Sequence, residues 1–192
     1  MLKALPLSLT LLRVALGPVM VALALRLPSP PAFAACLIAA LLSDIYDGKI
    51  ARKLGIATPL LRRLDSLADT VFYVAATYCL WLLHRDVILD RALPLLILLG
   101  LEASRYGFDF FKYRKEASYH MWSSKLWGLF LFAGFFSALV FSHTGVAVDL
   151  AIYTGILADL EGLMISIILP RWKNDVPTLF HALRLRKDML QP

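Results

Sequence analysis

Six apolar stretches, each close to the length needed to cross a bilayer, constrain this chain more than any other feature. They run from Leu9 to Leu27, Ala32 to Ile50, Leu64 to Leu83, Ala92 to Phe111, Leu126 to Phe141 and Val148 to Leu169. A spanning helix needs about 20 predominantly apolar residues, and a chain crossing lipid must satisfy every backbone polar group within itself. The expected fold is therefore all-α, an integral membrane protein of six transmembrane helices occupying residues 1–170. A short interfacial tail follows at 171–192. Apolar residues make up 59% of the 192, and mean hydropathy is +0.70, well above a soluble domain. Six spans leave no room for a separate soluble domain. The first run carries Arg13, reaches span length and lacks a small-x-small cleavage site, so it is expected to stay as a helix rather than leave as a signal peptide.

Charge predicts the orientation. Sixteen basic residues fall on one side: Lys3, five in the second loop, five in the fourth from Arg105, and five in the tail; Arg26, Arg85 and Arg91 fall on the other. The positive-inside rule then puts both termini at the cytoplasmic face, in a bacterial or archaeal cell membrane. Pro28-Ser29-Pro30-Pro31 is expected to break the chain sharply between spans one and two. Residues between Gly48 and Leu64 read as a short interfacial segment joining spans two and three. Asp86 and Asp90 beside Arg85 and Arg91 read as solvated exterior charge. Gly128, the Gly134/Ala138 pair, Gly155 and Gly162 supply small surfaces for close helix packing, with a homodimer seam as the minority reading. The tail from Thr178 to Leu190 mixes leucines with Arg184, Arg186 and Lys187, which suits a helix lying on an anionic leaflet. Cys36 and Cys79 sit in apolar runs without metal-ligand spacing and read as packing residues. No nucleic-acid partner is expected.

Against this background the acidic residues of the second and third runs stand out, because charge beside lipid is expensive and asks for a function. Asp44 and Asp47 are three apart and Asp65 and Asp69 four apart, so on helices each pair projects from one face. Two such faces brought together make an oxygen-rich cage suited to one or two hard divalent ions. The site is then a candidate for phosphoryl-type transfer, in which metal ions neutralise a diphosphate and polarise the phosphorus under attack.

The order Asp44, Asp47, Gly48, Ala51, Arg52, Asp65, Asp69 resembles the signature of the CDP-alcohol phosphatidyltransferases, Asp-x-x-Asp-Gly-x-x-Ala-Arg followed by Gly-x-x-x-Asp-x-x-x-Asp. Seven of eight fixed positions match, and Leu61 stands where the pattern has glycine. Thr10, Arg13 and Pro18 are similar to the opening helix of the phosphatidylglycerophosphate synthase branch, with Ser8 in place of its usual asparagine. The resemblance implies a substrate, CDP-diacylglycerol, attacked by a small alcohol, best guess glycerol 3-phosphate, with release of CMP. It implies Mg²⁺ or Mn²⁺, two ions, on Asp44, Asp47, Asp65 and Asp69. Asp69 would be the general base, and Gly48, Ala51, Arg52 and Thr10 would meet the nucleotide. Inositol phosphate, serine or another acceptor would use the same signature. A phosphorylated acceptor needs a cationic pocket, for which Arg13, Arg105, Lys125 and His120 are candidates. Glu102 and Arg105 could instead pair on one helix face, and Lys125 could snorkel to the headgroups.

Two readings from other classes compete. The aspartates could be structural ion-pair partners of Lys49, Arg52, Lys53, Arg62 and Arg63, or the acidic path of a divalent-cation transporter, since intramembrane acids mark such routes. The first sets no demand for Gly48, Ala51 or the eighteen-residue step from Asp47 to Asp65. The second is disfavoured by the gathering of the aspartates near one face.

Overall fold

The computed structural model describes residues 5–56, 58–115, 119 and 121–190, with the side chains of Pro59, Arg62 and Leu190 left aside. Among these residues the chain forms eight helices and no strand: α1 (Leu5–Arg26), α2 (Pro30–Lys53), α3 (Pro59–Leu83), α4 (Arg85–Asp90), α5 (Ala92–Tyr113), α6 (Trp122–Phe141), α7 (Val146–Ile168) and α8 (Leu179–Leu190). Each of the six apolar runs lies on one of the six long helices. Four of these, in α1, α3, α6 and α7, are long and apolar enough to cross a membrane by length and composition. The protein is thus an all-helical membrane protein. Acidic and basic residues dilute α2 (Asp44, Asp47, Lys49) and α5 (Glu102, Arg105, Asp109), which are otherwise of spanning length.

The breaks fall where the prolines and Gly55 put them, and the helices run close up to each. Residues 27–29 break the chain between α1 and α2, and Pro30 and Pro31 then open α2 with Ser29 at the N-cap position, because a proline in the first helical turn has no intrahelical N–H bond to lose. Likewise the segment between Gly48 and Leu64 is mostly helix. α2 continues to Lys53, and α3 starts at Pro59 with the Thr58 hydroxyl accepting from the Leu61 N–H at 3.2 Å. Only residues 54–58 connect them. The glycine missing at Leu61 therefore falls in the first turn of a capped helix.

The chain forms two compact units. The first contains residues 1–89 and 135–144, and the second residues 90–134 and 145–192. In the first, α1 packs on both α2 and α3. Its buried residues, Pro6, Thr10, Arg13, Gly17, Met20 and Ala24, recur every three or four positions and form one stripe. α2 buries Phe33, Cys36, Leu37, Ala40, Ser43, Asp47 and Ala51 in the same way. Both stripes are apolar at one end and polar at the other. Gly17 sets the closest approach: a Cβ there would stand 3.2 Å from the Ala75 Cβ and 3.7 Å from the Val71 carbonyl oxygen. The small residue brings the α1 and α3 backbones together one turn from Arg13 and from Asp69. Cys36 and Cys79 are free and buried, as packing residues should be. Tyr73 of α3 stacks on Phe135 at the end of α6, with ring centroids 5.7 Å apart.

In the second unit α7 is central, packing on α5 and on α8. A membrane gives little hydrophobic drive between helices, so close van der Waals contact has to hold them. Small residues of α7 provide it. Gly155 lies against Trp127 and Leu98, Gly162 against Arg105 and Met121, and Gly134 of α6 against Ala147, Val148 and Ala151. Gly128 differs from this expectation, since nothing lies within 4 Å of where its Cβ would be. The last carbonyls of α7, which have no intrahelical donors, are met by α5. Lys112 Nζ donates to the Ser166 and Ile167 oxygens at 2.7 and 3.1 Å, and the Tyr113 hydroxyl to the Ser166 and Leu169 oxygens at 2.7 and 2.8 Å. Burial raises the phenol pKa of Tyr113 and Tyr119 above the ordinary tyrosine value, so both remain protonated near neutral pH. Glu161 accepts from Ser123 at 2.5 Å and from the Leu179 N–H at 3.1 Å, capping the start of α8. α8 buries Ala182 in a core with Tyr119, Met121, Ile165, Leu169 and Val176, while Phe180 and Leu183 face outward.

The loop charges are also more engaged than expected. Arg91 is not simply solvated: its Nε lies 2.6 Å from Asp149 Oδ1.

Candidate functional site

All four aspartates of the second and third runs converge, and they do so around a residue of the first. Asp44 and Asp47 project from α2, Asp65 and Asp69 from α3, and the Arg13 guanidinium of α1 stands among them. Arg13 Nη1 is 3.3 Å from Asp44 Oδ1, 3.0 Å from Asp65 Oδ1 and in contact with Asp69 Oδ1, while Nη2 is 2.5 Å from Asp47 Oδ2. The i, i+3 and i, i+4 spacings thus do what they predict, each placing its pair on one helix face.

Burial is graded across the group. Arg13 and Asp47 are closed in, at 1% and 4% exposure, whereas Asp44, Asp65 and Asp69 are 44%, 33% and 37% exposed. The cage therefore has a closed floor and an open side. Polar neighbours line the floor: Thr10 Oγ1 donates to the Pro6 carbonyl at 3.0 Å and lies 3.4 Å from Asp47 Oδ2, and Arg13 Nε lies 3.4 Å from Ser43 Oγ. Asp47 Oδ1 is buried and has no hydrogen-bond partner. A buried carboxylate oxygen left without a hydrogen bond is costly; both Asp159 oxygens share that state, and at Asp47 the neighbouring Asp44 and Asp65 oxygens supply the further ligands that a cation would need.

These residues fit a divalent ion. One oxygen each from Asp44, Asp47 and Asp65 lies within 4.8 Å of the others. Oxygens on a single six-coordinate Mg²⁺ at about 2.1 Å stand up to about 4.2 Å apart, so small side-chain rotations suffice. An all-carboxylate donor set matches Mg²⁺ or Mn²⁺ and not a soft metal.

The other expected residues are placed as follows. Ala51 is buried in α2, at 5% exposure. Arg52 lies over Gly48, its Nη1 3.4 Å from the position of a Gly48 Cβ, so the flexible tip of an exposed arginine is what covers that backbone. Arg105 does not pair along its own helix with Glu102. It reaches Asp159 of α7, Nη1 to Oδ1 at 3.3 Å, lying across Gly162. Lys125 Nζ sits over the Trp122 ring at 4.5 Å, a cation–π contact that fits an interfacial lysine. His120 lies outside the described residues.

Sequence spacing did not identify Ser43, Asp159 or the position of Arg13 at the centre of the cage. A lone charge inside an apolar run is itself a signal that a partner exists, but it does not name the partner. Asp159 and Glu102 also place carboxylates along α7 and α5, away from the α2–α3 cluster in sequence.

The fold and the cluster define a membrane-embedded helical protein with an oxygen-rich site suited to a hard divalent ion. The model of the CDP-alcohol phosphatidyltransferase family matches residues 3–168, and the chain belongs to that family. No curated protein and no solved structure gives a significant match. Membership implies transfer of a phosphatidyl-type group from a CDP-alcohol to an alcohol acceptor.

Proposed function

We propose that the protein transfers the phosphatidyl group of CDP-diacylglycerol to a small alcohol, with glycerol 3-phosphate the preferred reading, and releases CMP. The observation that carries this reading is the gathering of carboxylate at the site: among the described residues, four aspartates are drawn onto the one guanidinium of Arg13. Four carboxylates crowded on one guanidinium repel one another, a repulsion that a divalent ion would relieve.

Asp44, Asp47, Asp65 and Asp69 would hold the divalent ions. When bound, such ions supply charge neutralisation of the diphosphate and electrophilic activation of the phosphorus. Asp69 accepts the proton of the acceptor hydroxyl. The hydroxyl oxygen then bonds to the lipid-side phosphorus, the bond from that phosphorus to the bridging oxygen breaks, and CMP leaves with its electron pair. Asp69 suits the base role through its partial exposure, which lets an acceptor reach it. Thr10 and the Gly48, Ala51 and Arg52 face of α2 receive the nucleotide, with the Arg52 tip free to swing onto phosphate.

The orientation follows the basic residues: six spans, both termini and the carboxylates at the cytoplasmic face, and α8 lying on the anionic leaflet through Phe180, Leu183, Arg184, Arg186 and Lys187. Arg105, Lys125 and His120 are the candidates for an anionic acceptor, in keeping with a phosphatidylglycerophosphate synthase-like branch. Labelled CDP-diacylglycerol, Mg²⁺ or Mn²⁺, and a panel of glycerol 3-phosphate, inositol phosphate and serine would test this. CMP release with glycerol 3-phosphate and its loss in Asp69→Asn support the reading. Release with serine alone reassigns the acceptor, and no release with any alcohol rejects the transferase.

A further inference from the structure

We infer that Arg13 is the resident counter-ion of the carboxylate cage and competes with divalent ions for the same aspartates, so that metal loading frees its guanidinium for an anionic group of the substrate. The inference rests on the metal-dependent reading above and adds a role for Arg13 at that site.

Three observations carry it. Arg13 is 1% exposed and touches all four aspartates, so it occupies the space in which an ion would be ligated. Three of those aspartates, Asp44, Asp47 and Asp65, are the ones whose oxygens gather to ion-binding separation. Apart from the carboxylates, Arg13 is held at the site by one long hydrogen bond, 3.4 Å to Ser43 Oγ. A guanidinium and a divalent ion in contact with the same oxygens repel strongly in a partly buried site.

Charge counting gives the direction. Without metal, one guanidinium faces four carboxylates, and the group needs it to remain assembled. With two divalent ions bound, the carboxylates are neutralised and the guanidinium has no carboxylate charge left to balance. A diphosphate is then its natural partner, since the planar fork of arginine matches phosphate oxygens. Arg13 in this scheme holds the four carboxylates together and couples metal loading to substrate capture. A fixed strut would instead stay on the carboxylates in both states.

The test uses the purified full-length chain in nanodiscs without substrate. Mn²⁺ binding is read by electron paramagnetic resonance of the free ion, and thermal midpoints are taken with and without saturating Mn²⁺. Arg13→Gln is expected to bind Mn²⁺ at least about tenfold tighter than wild type. Arg13→Lys, which keeps the charge but reaches fewer carboxylates, should fall between, at about threefold. Metal-free Arg13→Gln should melt below wild type, with the gap closing in Mn²⁺. If it folds only when Mn²⁺ is present, competition is again supported. Equal or weaker Mn²⁺ affinity in both variants, with a melting deficit that persists in saturating metal, overturns the inference and identifies a strut. Absence of Mn²⁺ binding in wild type and both variants rejects the metal-dependent reading itself and the inference with it.

Discussion

Two arginines lie inside apolar helices of this protein, and their surroundings differ by three carboxylates. Arg105 of α5 meets one, Asp159 of α7, in the second unit. Arg13 of α1 meets four in the first. A one-to-one pair approaches charge balance, although both Asp159 oxygens lack a hydrogen bond, and the neighbouring Gly162 makes room for the arginine stem. A four-to-one group does not approach balance. A divalent ion would restore balance, and the three partly exposed aspartates leave a side from which it could reach the cluster. The difference separates a one-to-one pair between two helices from a cluster that carries the donor set for a divalent ion.

The largest expected contrast is catalytic. Asp69→Asn should lower the turnover of CMP release by about 10²–10⁴-fold, the range for loss of a general base, while leaving thermal stability at or above wild type, because it relieves the carboxylate excess. Asp159→Ala should do the reverse to stability. Stranding Arg105 beside an apolar helix costs roughly 3–5 kcal/mol, read as an earlier denaturant midpoint in detergent. If Asp159→Ala were silent and Asp69→Asn unfolded the protein, the roles assigned to the two groups would be exchanged.

Smaller effects sharpen the view of the second unit as the packed one. A Cβ on Gly155 would stand 2.7 Å from Trp127 Nε1 and 2.9 Å from Leu98 Cδ1. Gly155→Ala should therefore cost about 1–3 kcal/mol through overpacking. Gly128→Ala, with open space around it, should be neutral or stabilising by up to about 1 kcal/mol from helix propensity. Tyr113→Phe removes the hydroxyl that serves two carbonyls at the end of α7, and about 1 kcal/mol should go with it. Thermal midpoints of the three variants against wild type rank these effects.

Much of the site could be read from spacing. Helical period alone puts Asp44 with Asp47 and Asp65 with Asp69, and the cost of charge in lipid says that the pairs need a partner. The helix ends were less legible. Pro28-Ser29-Pro30-Pro31 announces the break after α1 but not that Pro30 and Pro31 open α2, and Gly55 and Pro59 announce the break after α2 but not how far α2 and α3 run into the stretch between Gly48 and Leu64. Partner choice was not legible at all. Arg13 and Asp69 are 56 positions apart and Arg105 and Asp159 are 54 apart, and only the close approach of packed helices, at Gly17 in one case and Gly162 in the other, brings them together. Glu102, three residues from Arg105, was the obvious local partner, and the structure prefers the distant one.

The most direct test of the central claim is the number of Mn²⁺ ions bound at equilibrium by three proteins: wild type, Asp47→Asn and Asp159→Asn. One or two ions on wild type, retained in Asp159→Asn and lost or weakened by at least about tenfold in Asp47→Asn, is the predicted result. Binding that survives Asp47→Asn unchanged, or that disappears only in Asp159→Asn, would contradict it.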